Sequence, residues 1–255
     1  MLILAEKRYE LIKVVRGYTN RTLYINLTKN EIEIRSVTKK MKEKFIGGKG
    51  FDLWLMWNSL SKDRIVKWDD AENEICISSG PLGGNTFYPG SGKSIVTTIS
   101  PLTHIIIDSN VGGYFGPYLK FSGFDALEIK GKAKQEVIIF IDGINGIIRI
   151  EKRDDFENLS NDSHLLTQQL TEKYAKDENE KIQISVVSTG PASTPSKWGM
   201  LNFSWFSPKR KWASCKQAGR GGVGTVFADK NLKALICRSP KVNLKINNPA
   251  DFDTA

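Results

Sequence analysis

Histidine and cysteine are scarce in this chain of 255 residues. There are two histidines, His104 and His164, and three cysteines, Cys76, Cys215 and Cys237, with no Cys-x-x-Cys pair. An odd number of dispersed thiols argues against a disulfide framework, and two isolated imidazoles do not complete a zinc or iron–sulfur site. Long apolar runs are missing too. No stretch reaches the about 18 apolar residues of a membrane span, and the opening MLILAEKRYELIKVVRG is charged by residue 6, which is poor material for a signal peptide. A soluble, cytoplasmic protein is expected. Positive charge and glycine are plentiful: 37 Lys and Arg against 28 Asp and Glu leave +9, and there are 22 glycines. Such a charge suits nucleic acid, an acidic protein or a phosphorylated small molecule, unless it is only a solvated basic surface. With 40% hydrophobic residues the chain can bury a core as one large domain or two small ones.

The pattern repeats itself. TLYINLTKNEIEIRSV (22 to 37) reads as a hairpin, KKMKEKFIGGKGFDLWLMWNSL as helix on both sides of a glycine break, and EICISSGPLGG (74 to 84) as a strand stopped by Gly-Pro. EVIIFIDGINGIIRI (136 to 150) then reads as a second hairpin, DSHLLTQQLTEKYA (162 to 175) as a capped helix, and QISVVSTGPAS (183 to 193) as a second strand stopped by Gly-Pro. Gly80 and Gly190 lie 110 residues apart, and the pairs Gly112-Gly113 and Gly221-Gly222 lie 109 apart. The expected fold is therefore α+β: two β-rich halves related by a pseudo-twofold, with flanking helices and with their glycine-rich loops meeting at one cleft. Residues 1 to 20 read as an extension, 21 to 240 as the domain, and the polar 241 to 255 as a linker.

Two short motifs mislead. PGSGKS (89 to 94) ends like a phosphate-binding loop, but Phe87 stands where its first glycine belongs and the β-branched SIVTTIS follows. GRGGVG carries Gly219, Gly221 and Gly224 in dinucleotide spacing, yet KRKWASCKQA precedes it and the expected acidic residue is missing. Both still pair a bare backbone with a cation. Four glycine clusters, beside Lys49, Lys93, Lys120 and Arg220, point toward anion binding, although any single glycine is better explained by a tight turn.

GGKGFDLWLMWN, SGPLGGNTFYPGSGKSIVTTISPLTHIIIDSNVGGYFGPYLKFSGFDALEIKGKA and AGRGGVGTVFADKNLKAL, in that order across roughly residues 20 to 240, resemble the N-terminal domain of the tungsten-containing aldehyde:ferredoxin oxidoreductase family. The resemblance implies a base of two pseudo-symmetric sheets beneath a tungsten, or molybdenum, bis-molybdopterin whose phosphates are bridged by magnesium. It assigns the magnesium to the backbone carbonyls of Asn110 and Gln217, and the pterin contacts to Gly112, Gly113, Tyr114, Gly219, Arg220 and Gly221. Lys93 and Lys216 fall where the family commonly has arginine; lysine keeps the charge and loses the planar fork. No residue of the chain is assigned to the chemical step.

The resemblance also implies partners. In the family, an iron–sulfur cluster, the substrate pocket and further pterin contacts belong to helical domains that follow this one, and electrons leave to ferredoxin. The implied function is the cofactor-binding part of an aldehyde-oxidising enzyme, incomplete without those helical domains, and an oligomer is expected. One alternative is a non-catalytic or split-gene subunit that assembles with a separate chain. A second alternative, a basic nucleic-acid-binding protein, rests only on charge and on aromatics interleaved with cations, and is disfavoured. Residues 191 to 217 depart from the family's shorter loop and carry Trp198, Trp205 and Trp212 around Lys209, Arg210 and Lys211, which reads as interior packing with a solvated charge run or as a docking surface.

Overall fold

A computed structural model describes residues 2–85, 87–153 and 158–240. Its thirteen strands form two sheets. The six-stranded sheet contains β2 (Arg21–Asn26), β3 (Glu31–Ser36), β4 (Ile75–Ser78), β5 (Ser94–Ile99), β6 (Ile106–Val111) and β7 (Ala126–Lys130), in the order β3-β2-β7-β4-β5-β6. The seven-stranded sheet contains β1 (Ile3–Arg8), β8 (Val137–Asp142), β9 (Ile147–Lys152), β10 (Ile184–Ser188), β11 (Leu201–Ser207), β12 (Trp212–Ala218) and β13 (Leu232–Arg238), in the order β1-β9-β8-β13-β10-β11-β12. Removing the edge strand β1 leaves two identical orders. Each has a single parallel pairing at the same place, β2 with β7 and β8 with β13, and every other pairing is antiparallel. The pseudo-twofold read from the Gly-Pro spacing is thus a repeat of complete sheet topology.

Alternation explains why the sheets face each other. Leu23 and Ile25 of β2, Leu127 and Ile129 of β7, Ile139 and Ile141 of β8, and Leu235 of β13 share one buried cluster, filling the layer between the sheets. Burial of each such side chain stabilises by roughly 1.5 to 3 kcal/mol. The outer faces differ between halves. On the seven-stranded sheet, Phe140, Val186 and Ile236 pack beneath Leu166, Leu170 and Tyr174 of α4 (Ser163–Tyr174). The six-stranded sheet is covered by α1 (Lys39–Lys44) and α2 (Lys49–Ser59), and there Glu128 and Cys76 hold the places of Ile236 and Val186. Gly47 and Gly48, both with positive φ (+146° and +54°), break the chain between α1 and α2. Two further short helices, α3 (Phe115–Phe121) and α5 (Val223–Asp229), follow β6 and β12 as equivalents.

Within the opening segment, residues 3 to 8 form a strand of the seven-stranded sheet. β1 pairs with β9, and the Tyr9 ring packs 5.1 Å from Phe124. Within 191 to 217, which the sequence presents as a departure from the family loop, β11 and β12 form a hairpin with Lys209, Arg210 and Lys211 exposed at its turn. The stretch 241 to 255, read as a linker, lies outside the described residues.

Candidate functional site

β6 and β12 hold equivalent places at one edge of their sheets, and they pack against each other. Asn110 is paired with Ile95 and Gln217 with Asn202, so Asn110-Val111-Gly112 and Gln217-Ala218-Gly219 are matching tripeptides at the ends of the two strands. Each then turns through glycine into a short helix. Edge strands direct part of their backbone groups out of the sheet, which leaves carbonyls free for something other than a neighbouring strand. The halves are tied together here. The Arg220 amide donates to Ser109 Oγ at 3.1 Å, and Gly221, with φ +67°, packs where an added Cβ would collide with the Ile107 side chain.

The glycines divide into two kinds. Gly222 has φ +68°, and a side chain there would run into the Lys197 carbonyl; one on Gly224 would meet the Met200 backbone, one on Gly116 would put its Cβ 2.6 Å from Ser94 Oγ, and one on Gly92 would meet the Gly113 carbonyl, so packing or backbone conformation requires each of them. Gly113, with φ +111°, is required by its backbone. Gly112 and Gly219 are required by neither. Both have ordinary φ, a methyl group on Gly219 would meet nothing within 4 Å, and one on Gly112 would meet only Lys216 Cγ at 3.8 Å. Gly80 and Gly190, the two Gly-Pro stops, are equally unconstrained: open space around the first, and only ordinary contact with Ser163 at 3.7 Å around the second. Two symmetry-related pairs therefore keep a bare backbone that the protein itself does not need.

The ten residues named from the resemblance lie along this edge. Lys93, Lys216 and Arg220 are exposed and have no carboxylate partner among the described residues. Tyr114 is half exposed, its ring 6.4 Å from Trp205 and 5.7 Å from Tyr118. Two of the four cations noted beside glycine clusters are committed elsewhere. Lys49 pairs with Asp108 at 2.5 Å, and Lys120 is buried, donating to the carbonyls of Gly80 (2.6 Å) and Pro81 (3.1 Å). Burial lowers the Lys120 ammonium to about 8, against the attraction of Asp125. Lys120 thus fixes the loop base rather than offering charge to a ligand.

Beside Gln217 and Gly219 opens a cavity of about 580 Å3, lined also by Ser163, His164, Trp198 and Asn202. Gln217 Nε2 donates to Asn202 Oδ1 at 3.1 Å and Asn202 Nδ2 donates to Ser163 Oγ at 2.7 Å, a relay from the strand end to the start of α4. Sequence reasoning passed over Asn202 and Ser163; the Gly190-Pro191 stop at the cavity's rim was its one available signal. Trp198 is exposed and Trp205 packs near Gly113, so the tryptophan-rich stretch both packs and faces outward.

Both misleading motifs resolve. PGSGKS leads into strand β5 and opens no helix. GRGGVG does open a helix, α5, but β12 before it is an antiparallel edge strand and β13 after it is not its neighbour, so no βαβ unit exists. Among the described residues no group of three His, Cys, Asp or Glu could hold a metal, and no helix is long and apolar enough to cross a membrane.

Comparison with known proteins agrees with this geometry. Residues 22–239 match the family model described as aldehyde ferredoxin oxidoreductase, N-terminal domain. A tungsten-containing aldehyde ferredoxin oxidoreductase of Pyrococcus abyssi is 34% identical over 225 residues, covering 88% of this chain and 34% of that protein. An aliphatic sulfonate oxidoreductase, WOR-like subunit, of Pyrococcus furiosus is 30% identical over 230 residues, covering 87% of this chain and 34% of that protein. Among solved structures, the active-site complex BamBC of benzoyl coenzyme A reductase with 1,5-dienoyl-CoA superposes with a TM-score of 0.73 at 26% identity, covering 88% of this chain and 31% of that one. The chain spans about a third of the length of the curated relatives it matches.

Proposed function

Because this chain belongs to the aldehyde ferredoxin oxidoreductase family through its N-terminal domain, we propose that residues 21 to 240 form the floor of a tungsten, or molybdenum, bis-molybdopterin site in an aldehyde-oxidising, ferredoxin-linked enzyme. The observation that carries the reading is the two pairs of glycines, Gly80 with Gly190 and Gly112 with Gly219, that neither backbone conformation nor packing demands. A bare backbone facing open space is what a flat cofactor lying against the protein requires.

The residues present fit such a group. Lys93, Lys216 and Arg220, which have no carboxylate partner among the described residues, would supply cations for two phosphates. Asn110 and Gln217 would hold the bridging magnesium through main-chain carbonyls, suited to a hard cation that keeps water and phosphate oxygens in its shell. Gly112 and Gly219 would admit the pterins, with Gly113, Tyr114 and Gly221 shaping the edges. The bound group supplies the two-electron redox chemistry. This domain's own part is to bind the group, to fix its orientation through the Ser109–Arg220 tie between halves, and to set the local potential with fixed positive charge.

Helical domains bearing an iron–sulfur cluster would complete the site, either in the same chain or in a separate one. The P. furiosus relative named as a subunit supports assembly with another polypeptide. Copurification of a second, cluster-bearing chain is the expected outcome under that arrangement.

Lys93→Ala and Lys216→Ala test the floor. Each removes a cation from a site for two phosphates, and a charge-assisted hydrogen bond contributes about 1.5 to 3 kcal/mol. Tungsten and pterin contents of the assembled protein are expected to fall in both variants. Full retention in both would reduce these lysines to surface charge.

A further inference from the structure

At the opposite edges of the two sheets, where β1 packs against β3, a second cavity of about 370 Å3 has an unusual lining. Three arginines from three strands border it: Arg8 closes β1, Arg21 opens β2, and Arg35 lies in β3. Glu10 is the one carboxylate in the lining, and Ser36 adds a hydroxyl. We propose that this cavity binds a compact dianion of the phosphate class, inorganic phosphate or the phosphate of a small ester, held by Arg8 and Arg21 against a wall formed by Arg35.

The three guanidiniums are in different states, and the difference assigns their roles. Arg35 is fixed: Glu33 holds it at 2.8 Å, Glu128 lies 3.6 Å away, and it rests 3.5 Å above the Tyr24 ring. Arg21 has no carboxylate partner among the described residues; its Nη1 donates to the Glu10 carbonyl at 2.8 Å, which orients the fork without neutralising it. Arg8 reaches only a shared carboxylate, 3.4 Å from Glu6, which is held more closely by Arg149 at 2.8 Å. The lining therefore carries more cationic than anionic charge: no carboxylate among the described residues offsets Arg21, and Arg8 shares its carboxylate with Arg149. Guanidinium forks match the paired oxygens of a phosphate, whereas lysine offers only a point charge, and no lysine borders this cavity. The volume is at the small end of ligand pockets, enough for a phosphate with a short substituent and too small for a folded polymer.

The site is independent of the proposed cofactor floor. Arg8 and Arg21 precede residue 22, where the family match begins, so the cavity is built in part by this chain's opening segment. It lies at β1 and β3, the far edges from β6 and β12.

Isothermal titration of inorganic phosphate into the full chain at low ionic strength tests the assignment. A saturable site that persists in the Lys93→Ala/Lys216→Ala background is expected, and Arg21→Gln, which keeps an N–H donor but removes the charge, is expected to weaken it by about tenfold or more. Arg8→Gln changes an exposed side chain at a strand end, so it leaves the fold intact and should weaken binding in the same direction. A Lys93→Ala/Lys216→Ala double variant should keep this site unchanged, which separates it from the cofactor floor. Absence of saturable binding, equal binding by both arginine variants and the wild type, or loss of the site in the lysine variant would each overturn the proposal.

Discussion

Asp52, in the first turn of α2, shows how far a single side chain makes the six-stranded half depart from its counterpart. It is fully buried where α2 meets the sheet, accepting a hydrogen bond from Thr97 Oγ1 at 2.9 Å, and its second oxygen has no partner. Burial raises its carboxyl to about 7, opposed in part by the hydrogen bond from Thr97. A folded-state value above the unfolded one means that the native protein binds the extra proton between about pH 4 and 7. Stability from this group is complete below that window, falls as pH rises through it, and is lost above about 7, at a cost of roughly 4 kcal/mol as an upper bound. Asp52→Asn should remove this slope. Urea midpoints from pH 4 to 8 are expected to show the variant gaining on the wild type as pH rises; a constant difference would mean that Asp52 ionises normally. Glu128, raised to about 8 by burial and then by Glu74, slopes in the same sense in both proteins; Asp52 is a minor cause of its shift, so the slope is slightly smaller in the variant.

Among the elements, α4 is the most legible from sequence and the most exposed to a single change. Asp162 caps it, accepting from the amides of His164 at 2.9 Å and Leu165 at 3.0 Å, and Leu166 and Leu170 face the sheet. Loss of the cap in Asp162→Ala should cost about 0.5 to 2 kcal/mol, read as a lower thermal midpoint with an unchanged fold. The hairpins, the glycine break at Gly47 and both Gly-Pro stops were equally open to sequence reasoning, because each rests on local turn chemistry or on alternation. What escaped it was long-range. Nothing near Lys49 or Lys120 in the chain announces that Asp108 will pair with one, or that the Gly80 carbonyl will accept from the other. The Asn202–Ser163 relay and its cavity arise only when the β11–β12 hairpin meets the start of α4. Likewise β1 carried no repeat partner, and its pairing with β9 depends on a strand far along the chain.

For the whole molecule, one plan is used twice and its two copies are unequal. Both sheets supply an inner face to a common core, and both end in an edge strand, a glycine turn and a short helix. Their outer faces diverge: an apolar layer under α4 on one side, buried carboxyl groups under α2 on the other. The shared edge is where symmetry is kept most closely, down to Gly80 and Gly190 and to Gly112 and Gly219, while the opposite edge has gained β1 and the arginine-lined cavity. Symmetry retained at one edge without local structural need is the reason for placing a two-fold ligand there. The most direct measurement is tungsten and pterin content in Gly219→Val, alongside its thermal unfolding midpoint, in the assembled protein. Since a side chain at Gly219 meets open space, the midpoint should stay within the range of ordinary surface changes, about 0.5 kcal/mol, while tungsten and pterin are lost together. A variant that unfolds at the wild-type midpoint and still carries its full tungsten and pterin would contradict the cofactor floor.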